Sequence, residues 1–173
     1  MDDIVIRSMV KWPDVPDVYG WLQLDRRGNW RIRGESSESA QGFGTIGNEA
    51  FRAFIARNYA ADARGQWFFQ NGPQRVFVQL AYAPFVFRID GAAVVDHCGV
   101  AVDTVEGAWV DDEGSLLLGN AERVGLLDDR DLGVVADQVA AGALRLGSAI
   151  IPVGSVEGKD IERRFGFVRD PKP

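Results

Sequence analysis

Apolar positions cluster in several short stretches of the chain and in one of them recur at every second residue. Trp21 to Leu24, Gln66 to Gln70, Arg75 to Tyr82 and Phe85 to Ile89 have the length of half-buried strands and are rich in aromatic and β-branched residues. In Arg75 to Tyr82 the side chains of Val76, Val78, Leu80 and Tyr82 fall on one face, and Asn71-Gly72-Pro73-Gln74 supplies the turn before it. Further strands are predicted near Ala93 to Val95, Val100 to Val102, Trp109, Leu116 to Leu118, Val124 to Leu127 and Ala149 to Val153. Two segments change to the helical period. Asn48 is a candidate N-cap for a helix over Glu49 to Ala60, with Phe51, Phe54, Ile55 and Tyr59 on its apolar face. Asp128 caps a second, from Asp129 to Ala141, which turns Leu132, Val135, Ala136 and Val139 inward. Its first turn carries Asp129 and Asp131, where the helix dipole favours them.

A short pattern, D-x-x-G-x-[W/L], recurs as Asp25-Arg26-Arg27-Gly28-Asn29-Trp30, Asp62-Ala63-Arg64-Gly65-Gln66-Trp67 and Asp111-Asp112-Glu113-Gly114-Ser115-Leu116. An Asp side chain bonds the next backbone amides in a turn, and Gly takes the positive φ that closes it. The large apolar residue then starts the returning strand, pointing inward. The first and third copies are predicted to close hairpins, and the second to join a helix to a strand. The fold class that follows is α+β: two tandem, internally similar units of antiparallel strands with one helix each. The first unit covers residues 1–90, with 35–47 a mobile insertion, and the second 91–153. The boundary is placed at Asp90-Gly91, and residues 154–173 form a C-terminal extension. That extension carries the apolar group Phe165-Gly166-Phe167-Val168, read either as loosely docked or as packing on a partner subunit.

Composition narrows the classes. The 173 residues are 46% hydrophobic, which suits a buried core, and their longest apolar runs are far shorter than the ~18–20 residues that span a bilayer. The N-terminus, Met1-Asp2-Asp3-Ile4, lacks the basic start of a secretory signal, so a cytoplasmic location and no membrane partner are expected. Net charge is −6, distributed as 11 basic and 10 acidic side chains over residues 1–90 and 8 and 15 over 91–173, which argues against nucleic acid as a partner. Of 19 basic residues 16 are arginine, suited to bidentate pairing with carboxylate or phosphate, though surface arginines of a GC-rich genome give the same count.

The segments Lys11-Trp12-Pro13-Asp14-Val15-Pro16, Tyr19-Gly20-Trp21-Leu22, Leu24 to Gly28 and Gly65 to Val76 resemble a family of bacterial proteins of unknown function, over about residues 11–135. More distantly, Gly65 to Ile89, with Ala83-Pro84-Phe85-Val86, and Leu146-Gly147-Ser148-Ala149-Ile150-Ile151-Pro152-Val153 resemble the domain of unknown function 1285 family. That resemblance implies two similar α+β units in tandem and a role in signalling or ligand sensing. The insertion at Glu35 to Gly47 and the extension after Val153 depart from it, and neither family brings a catalytic set.

Candidate chemistry is sparse. His97 and Cys98 are the single histidine and cysteine, and in a strand Asp96-His97-Cys98 would point His97 away from Cys98, which disfavours a dyad. The acidic groups Asp111-Asp112-Glu113 and Asp128-Asp129-Arg130-Asp131 offer oxygen for a metal, but turn formation and capping account for both, so no metal and no cofactor are expected. Gly42 to Gly47 fits G-x-G-x-x-G without following a strand. Strand parity gives the best binding candidate. With Leu22, Leu24, Trp30 and Ile32 inward, Trp21, Arg31 and Arg33 project from the opposite face, and Arg26 and Arg27 crown the turn.

The reading reached is a non-enzymatic ligand- or partner-binding protein of bacterial signalling or sensing. Trp21, Arg26, Arg27, Arg31 and Arg33 would hold a small anionic ligand or an acidic protein surface. One alternative is an enzyme acting on a small anionic substrate, with a carboxylate from Asp111 to Glu113 as acid or base. The other is a structural or assembly module that forms homo-oligomers through the C-terminal extension.

Overall fold

In a computed structural model of the chain, which describes residues 1–34, 42–91, 93–120 and 123–173, the backbone divides into two units. The first comprises Met1–Asp25, Asn29–Ala81 and Gly166–Pro173; the second comprises Arg26–Gly28 and Tyr82–Phe165.

Unit 1 runs α1 (Asp3–Lys11), β1 (Val18–Leu24), β2 (Trp30–Arg33), β3 (Phe43–Thr45), α2 (Glu49–Arg57), β4 (Tyr59–Ala61), β5 (Trp67–Asn71) and β6 (Gln74–Leu80). Its sheet has the order β3-β2-β1-β6-β5-β4, with β1 and β6 parallel and the other neighbours antiparallel. Leu22 lies opposite Val78 and Leu24 opposite Leu80, all buried, so one face of the sheet forms the core. On β5, Phe69 receives Phe51 and Phe54 of α2 edge-on, at 6.1 and 5.4 Å between ring centroids. Ile55 of α2 is fully buried, a burial worth about 1.5–3 kcal/mol. Phe77, one residue out of phase with Val76 and Val78, stacks on Tyr19 at 4.5 Å. The chain's last residues return to this unit: the Val168 amide donates to Gly65 O (3.0 Å), and the Leu80 amide to Arg169 O (2.8 Å).

Unit 2 contains β7 (Phe85–Asp90), β8 (Ala93–Asp96), β9 (Ala101–Val102), β10 (Gly107–Val110), β11 (Leu116–Gly119), β12 (Val124–Leu127), α3 (Leu132–Ala140), β13 (Ala143–Leu146), β14 (Ala149–Ser155) and α4 (Ile161–Phe165). The sheet order is β13-β14-β10-β11-β12-β7-β8-β9, with β10/β14 and β12/β7 parallel. The internal similarity is therefore one of topology. In each unit three antiparallel strands lead to a helix, after which the meander β4–β6 in unit 1 and the hairpin β13–β14 in unit 2 return the last strand parallel beside the first of the three. Trp30 pairs with Leu24 and Leu116 with Val110, so the two residues hold the same register position, and both are buried.

Several expectations are corrected. Asp90-Gly91 is no boundary, because Asp90 ends β7, which pairs with β8 and β12 inside the second sheet. The stretch 154–173 is no loose extension: Ile161 and Phe167 are buried, and Val168 bridges to Gln66. Of the insertion at 35–47, residues 35–41 lie outside the described residues, while Phe43–Thr45 form β3 with Phe43 and Ile46 buried. The first helix stops at Arg57 rather than Ala60, since the buried Asn58 side chain donates to Phe54 O (2.9 Å) and accepts from the Asp2 amide (2.8 Å). Tyr59 accordingly lies in β4, and the loop at Asp62 closes the β4–β5 hairpin instead of joining helix to strand. The second helix begins with a 3₁₀ turn, Asp129–Asp131, capped as expected by Asp128 through the Arg130 amide. Each unit also carries a further helix, α1 or α4, and parallel strand pairing, one pair in unit 1 and two in unit 2.

Candidate functional site

The D-x-x-G turns set the positions from which the candidate residues project. Asp25 Oδ1 accepts from the Asn29 amide (2.9 Å), Asp62 Oδ1 from Arg64 and Gln66 (both 2.9 Å), and Asp111 Oδ1 from Glu113 (2.9 Å) and Ser115 (2.6 Å). In each, the Asp amide donates to the carbonyl four residues on, and Gly28, Gly65 and Gly114 adopt φ of 78°, 74° and 83°. A fourth copy, Asp96-His97-Cys98-Gly99, escaped the pattern because small Ala101 stands where the others have Trp or Leu. Asp96 Oδ1 accepts from the Cys98 and Val100 amides (both 2.9 Å), and Gly99 has φ 80°.

In unit 1, Gln23 lies opposite Arg31 and Arg33 opposite Phe43, so parity carries Trp21, Arg31, Arg33 and Phe43 on one face. Trp21 is 53% exposed. Arg31 Nη2 donates to Phe43 O (2.8 Å), while its Nε is buried without a hydrogen-bond partner. The Arg33 guanidinium sits 5.2 Å from the Phe43 ring centroid. Leu22, Leu24 and Trp30 are buried on the other face, but Ile32, expected inward, is 41% exposed because its β3 partner is Gly44, which has no side chain to cover it.

Arg26 and Arg27 are grouped with unit 2 and engaged there. Arg26 stacks over Tyr82 at 4.3 Å and donates to Ser115 Oγ (2.8 Å), and Arg27 pairs with Asp129 (2.9 Å). The acidic groups are likewise occupied. Burial pushes the Asp111 carboxyl up, but the Tyr82 hydroxyl and the Ser115 and Glu113 amides together outweigh it and hold it below the usual range. The Arg130 guanidinium lowers Asp128 to about 2, and Arg88 lowers Asp131, whose two oxygens it reaches at 2.7 and 3.0 Å. Among the described residues no three His, Cys, Asp or Glu converge as metal ligands. Tyr82 and Arg88 were missed from sequence because their partners lie 29 and 43 residues away.

His97 and Cys98 stand on a turn rather than a strand, and this brings Sγ to 3.6 Å from Nε2. The Val86 amide points at Nδ1 (3.3 Å), which makes Nε2 the protonated nitrogen. Burial lowers the imidazole to about 3 and raises the thiol to about 12, where Asp96 adds to the effect. Both shifts favour the neutral forms, the reverse of a thiolate–imidazolium pair. The G-x-G-x-x-G match also dissolves, since Phe43–Thr45 pair with β2 as strand β3.

Over residues 1–172 the sequence matches the family model DUF2944, described as "Protein of unknown function (DUF2946)". The chain belongs to this family. No curated protein matches the sequence. Two crystal structures of DUF1285 family proteins resemble this family member. The one from Silicibacter pomeroyi DSS-3, at 2.50 Å, is 15% identical over 87% of each chain, with a TM-score of 0.51. The one from Shewanella baltica OS155, at 1.40 Å, is 16% identical over 68% of this chain and 91% of that one, with a TM-score of 0.48. The former bears out the distant kinship with the DUF1285 family as a likeness of fold. Among the described residues no helix is long and apolar enough to cross a membrane.

Proposed function

We propose that the chain is a non-enzymatic binding protein whose first unit holds an anionic group, carboxylate or phosphate, on the face of Trp21, Arg31 and Arg33. The observation that carries this reading is Arg31, with one arm fixed on Phe43 O and its Nε buried without an acceptor. A donor left unpaired away from water costs about 1–3 kcal/mol, more for a charged group, and an anion oxygen reaching it recovers that cost. Arg33 over Phe43 supplies a second guanidinium, and exposed Trp21 a flat surface on which a ligand can stack. Such a site fits ligand sensing. Arg26 and Arg27 stand outside it, committed to Ser115, Tyr82 and Asp129.

The test is a thermal-shift screen of the intact protein against nucleotides, phosphosugars and dicarboxylates, since a ligand at about 100 times its Kd adds about 2.7 kcal/mol to stability. The double variant Arg31→Ala, Arg33→Ala is expected to lose the shift while its unliganded melting temperature changes little. A large loss of stability with unchanged affinity would show that the arginines hold the fold and would overturn the proposal.

A further inference from the structure

A cleft in unit 1, of about 700 Å³, lies where the loop after α1 faces the β5–β6 hairpin. The loop, Trp12-Pro13-Asp14-Val15-Pro16-Asp17, turns at Pro13-Asp14 and is tied to the hairpin by Gln74 Nε2, which donates to Pro16 O (3.1 Å). Gln70 forms part of the wall, and its position in β5 makes it almost wholly buried, with 1% of its surface exposed. Its Nε2 donates to Gly72 O (2.9 Å), which fixes which end of the amide is which, because only a donor can face that carbonyl. The other end, Oε1, is buried and accepts nothing from the protein.

Charges of both signs line the same cleft. Arg75 stacks over Phe68 at 4.7 Å, and among the described residues neither it nor Asp14 nor Asp17 has an ion-pair partner. Trp12, half-exposed, already carries the Lys11 ammonium 4.4 Å from its ring centroid, so its face accommodates organic cations.

From this arrangement we infer that the cleft binds the zwitterionic head of a free amino acid. Its ammonium donates to Gln70 Oε1 in the field of Asp14 and Asp17, its carboxylate lies toward Arg75, and its side chain rests on Trp12. A cleft for a simple anion would not set two unpaired carboxylates and a bare acceptor in its wall. A cleft for a simple cation would not include Arg75. The volume lies within the range of small-molecule sites. The inference does not depend on the arginine face, with which it shares no residue.

The test uses the intact chain in calorimetric titrations with the common amino acids, each beside its decarboxylated amine and its deaminated acid. At least one amino acid is expected to bind saturably, with its amine and its acid each weaker by about tenfold or more. Gln70→Met, which keeps the volume and removes both the acceptor and the donor to Gly72 O, is expected to abolish binding, with the melting temperature of the free protein recorded beside it. Arg75→Gln, at a half-buried position that tolerates change, is expected to erase the preference for the zwitterion over the amine, and it serves alone should Gln70→Met fail to fold. The variant Arg31→Ala, Arg33→Ala is expected to bind the amino acid normally. The inference is overturned if no amino acid binds, if the amine or the acid binds as well, if Arg75→Gln keeps the full preference, or if the arginine-face variant is the one that loses binding.

Discussion

Replacing the closing glycine of a D-x-x-G turn by alanine separates backbone strain from steric exclusion, because the copies share a conformation but differ in surroundings. At Gly114, with φ 83°, an added Cβ meets nothing within 4 Å. The cost of Gly114→Ala is then the strain of a left-handed residue alone, about 1–2 kcal/mol. Gly65 has nearly the same φ, 74°, but its Cβ would run into the carbonyl oxygen of Gly166 and lie 3.0 Å from Phe167 Cα. Those are backbone atoms of the returning C-terminal segment, held by the Val168 amide on Gly65 O, and they cannot rotate aside as a side chain would. Overpacking adds about 1–3 kcal/mol, so Gly65→Ala should cost about 2–5 kcal/mol, most simply about 2 kcal/mol more than Gly114→Ala. Urea unfolding followed by tryptophan fluorescence measures the difference, since about 2 kcal/mol shifts the midpoint by about 1 M at an m-value near 2 kcal/mol/M. Limited proteolysis should also release residues after Gly166 in Gly65→Ala and not in Gly114→Ala. Equal losses in the two variants would refute the steric account, leaving strain as the whole effect.

Two further outcomes are expected. His97, lowered by burial to about 3, is neutral when folded and protonates near pH 6.5 when unfolded. Its contribution to stability is complete above about pH 6.5 and is lost as pH falls toward 3, and its C2–H resonance in the folded protein should not titrate between about pH 8 and 5. Asp128, held near 2 by Arg130 and capping the Arg130 amide at 3.0 Å, contributes stability that is complete above about pH 4 and lost as pH falls to 2. Asp128→Ala should cost about 1–3 kcal/mol at pH 7 and flatten that acid limb, while Asp128→Asn, which retains a capping oxygen, should cost less by chemical denaturation.

Where local chemistry decides a structure, the sequence was informative: Asn48 and Asp128 cap the segments they precede, and the aromatic and β-branched residues over 66–89 became β5, β6 and β7. Helix α1 was not read from the sequence although Val5, Ile6, Met9 and Val10 share one side of it, because it is short, its start carries no side-chain cap, and most of its apolar side stays uncovered. Val5 is 2% exposed, yet Ile4 is 66% and Val10 80%. Strand β4 was hidden behind a helical spacing that continued through Tyr59, because the burial of Asn58 that ends α2 depends on Asp2, 56 residues away. Parity put Trp21, Arg31 and Arg33 on one face, as the structure has them, but it did not set Gln70 apart from the rest of its strand. Its buried, unpaired oxygen is a consequence of the loop beside it, and alternation carries no record of that.

The duplicated topology bears on the arginine face in a way that neither unit does alone. Because Trp30 and Leu116 share a register position, Arg31 corresponds to Leu117 and Arg33 to Gly119. The β2 strand reads Trp30-Arg31-Ile32-Arg33 where β11 reads Leu116-Leu117-Leu118-Gly119, and Leu117 is fully buried while its counterpart Arg31 is half-buried. The scaffold thus accepts a leucine at the place where unit 1 keeps a guanidinium with a buried, unpaired nitrogen. Topology does not require that arginine, and by the cost of its unpaired donor stability does not favour it over an apolar side chain. A residue that fold and stability both leave unexplained is one for which a ligand is the natural partner, and this supports placing the binding function in unit 1.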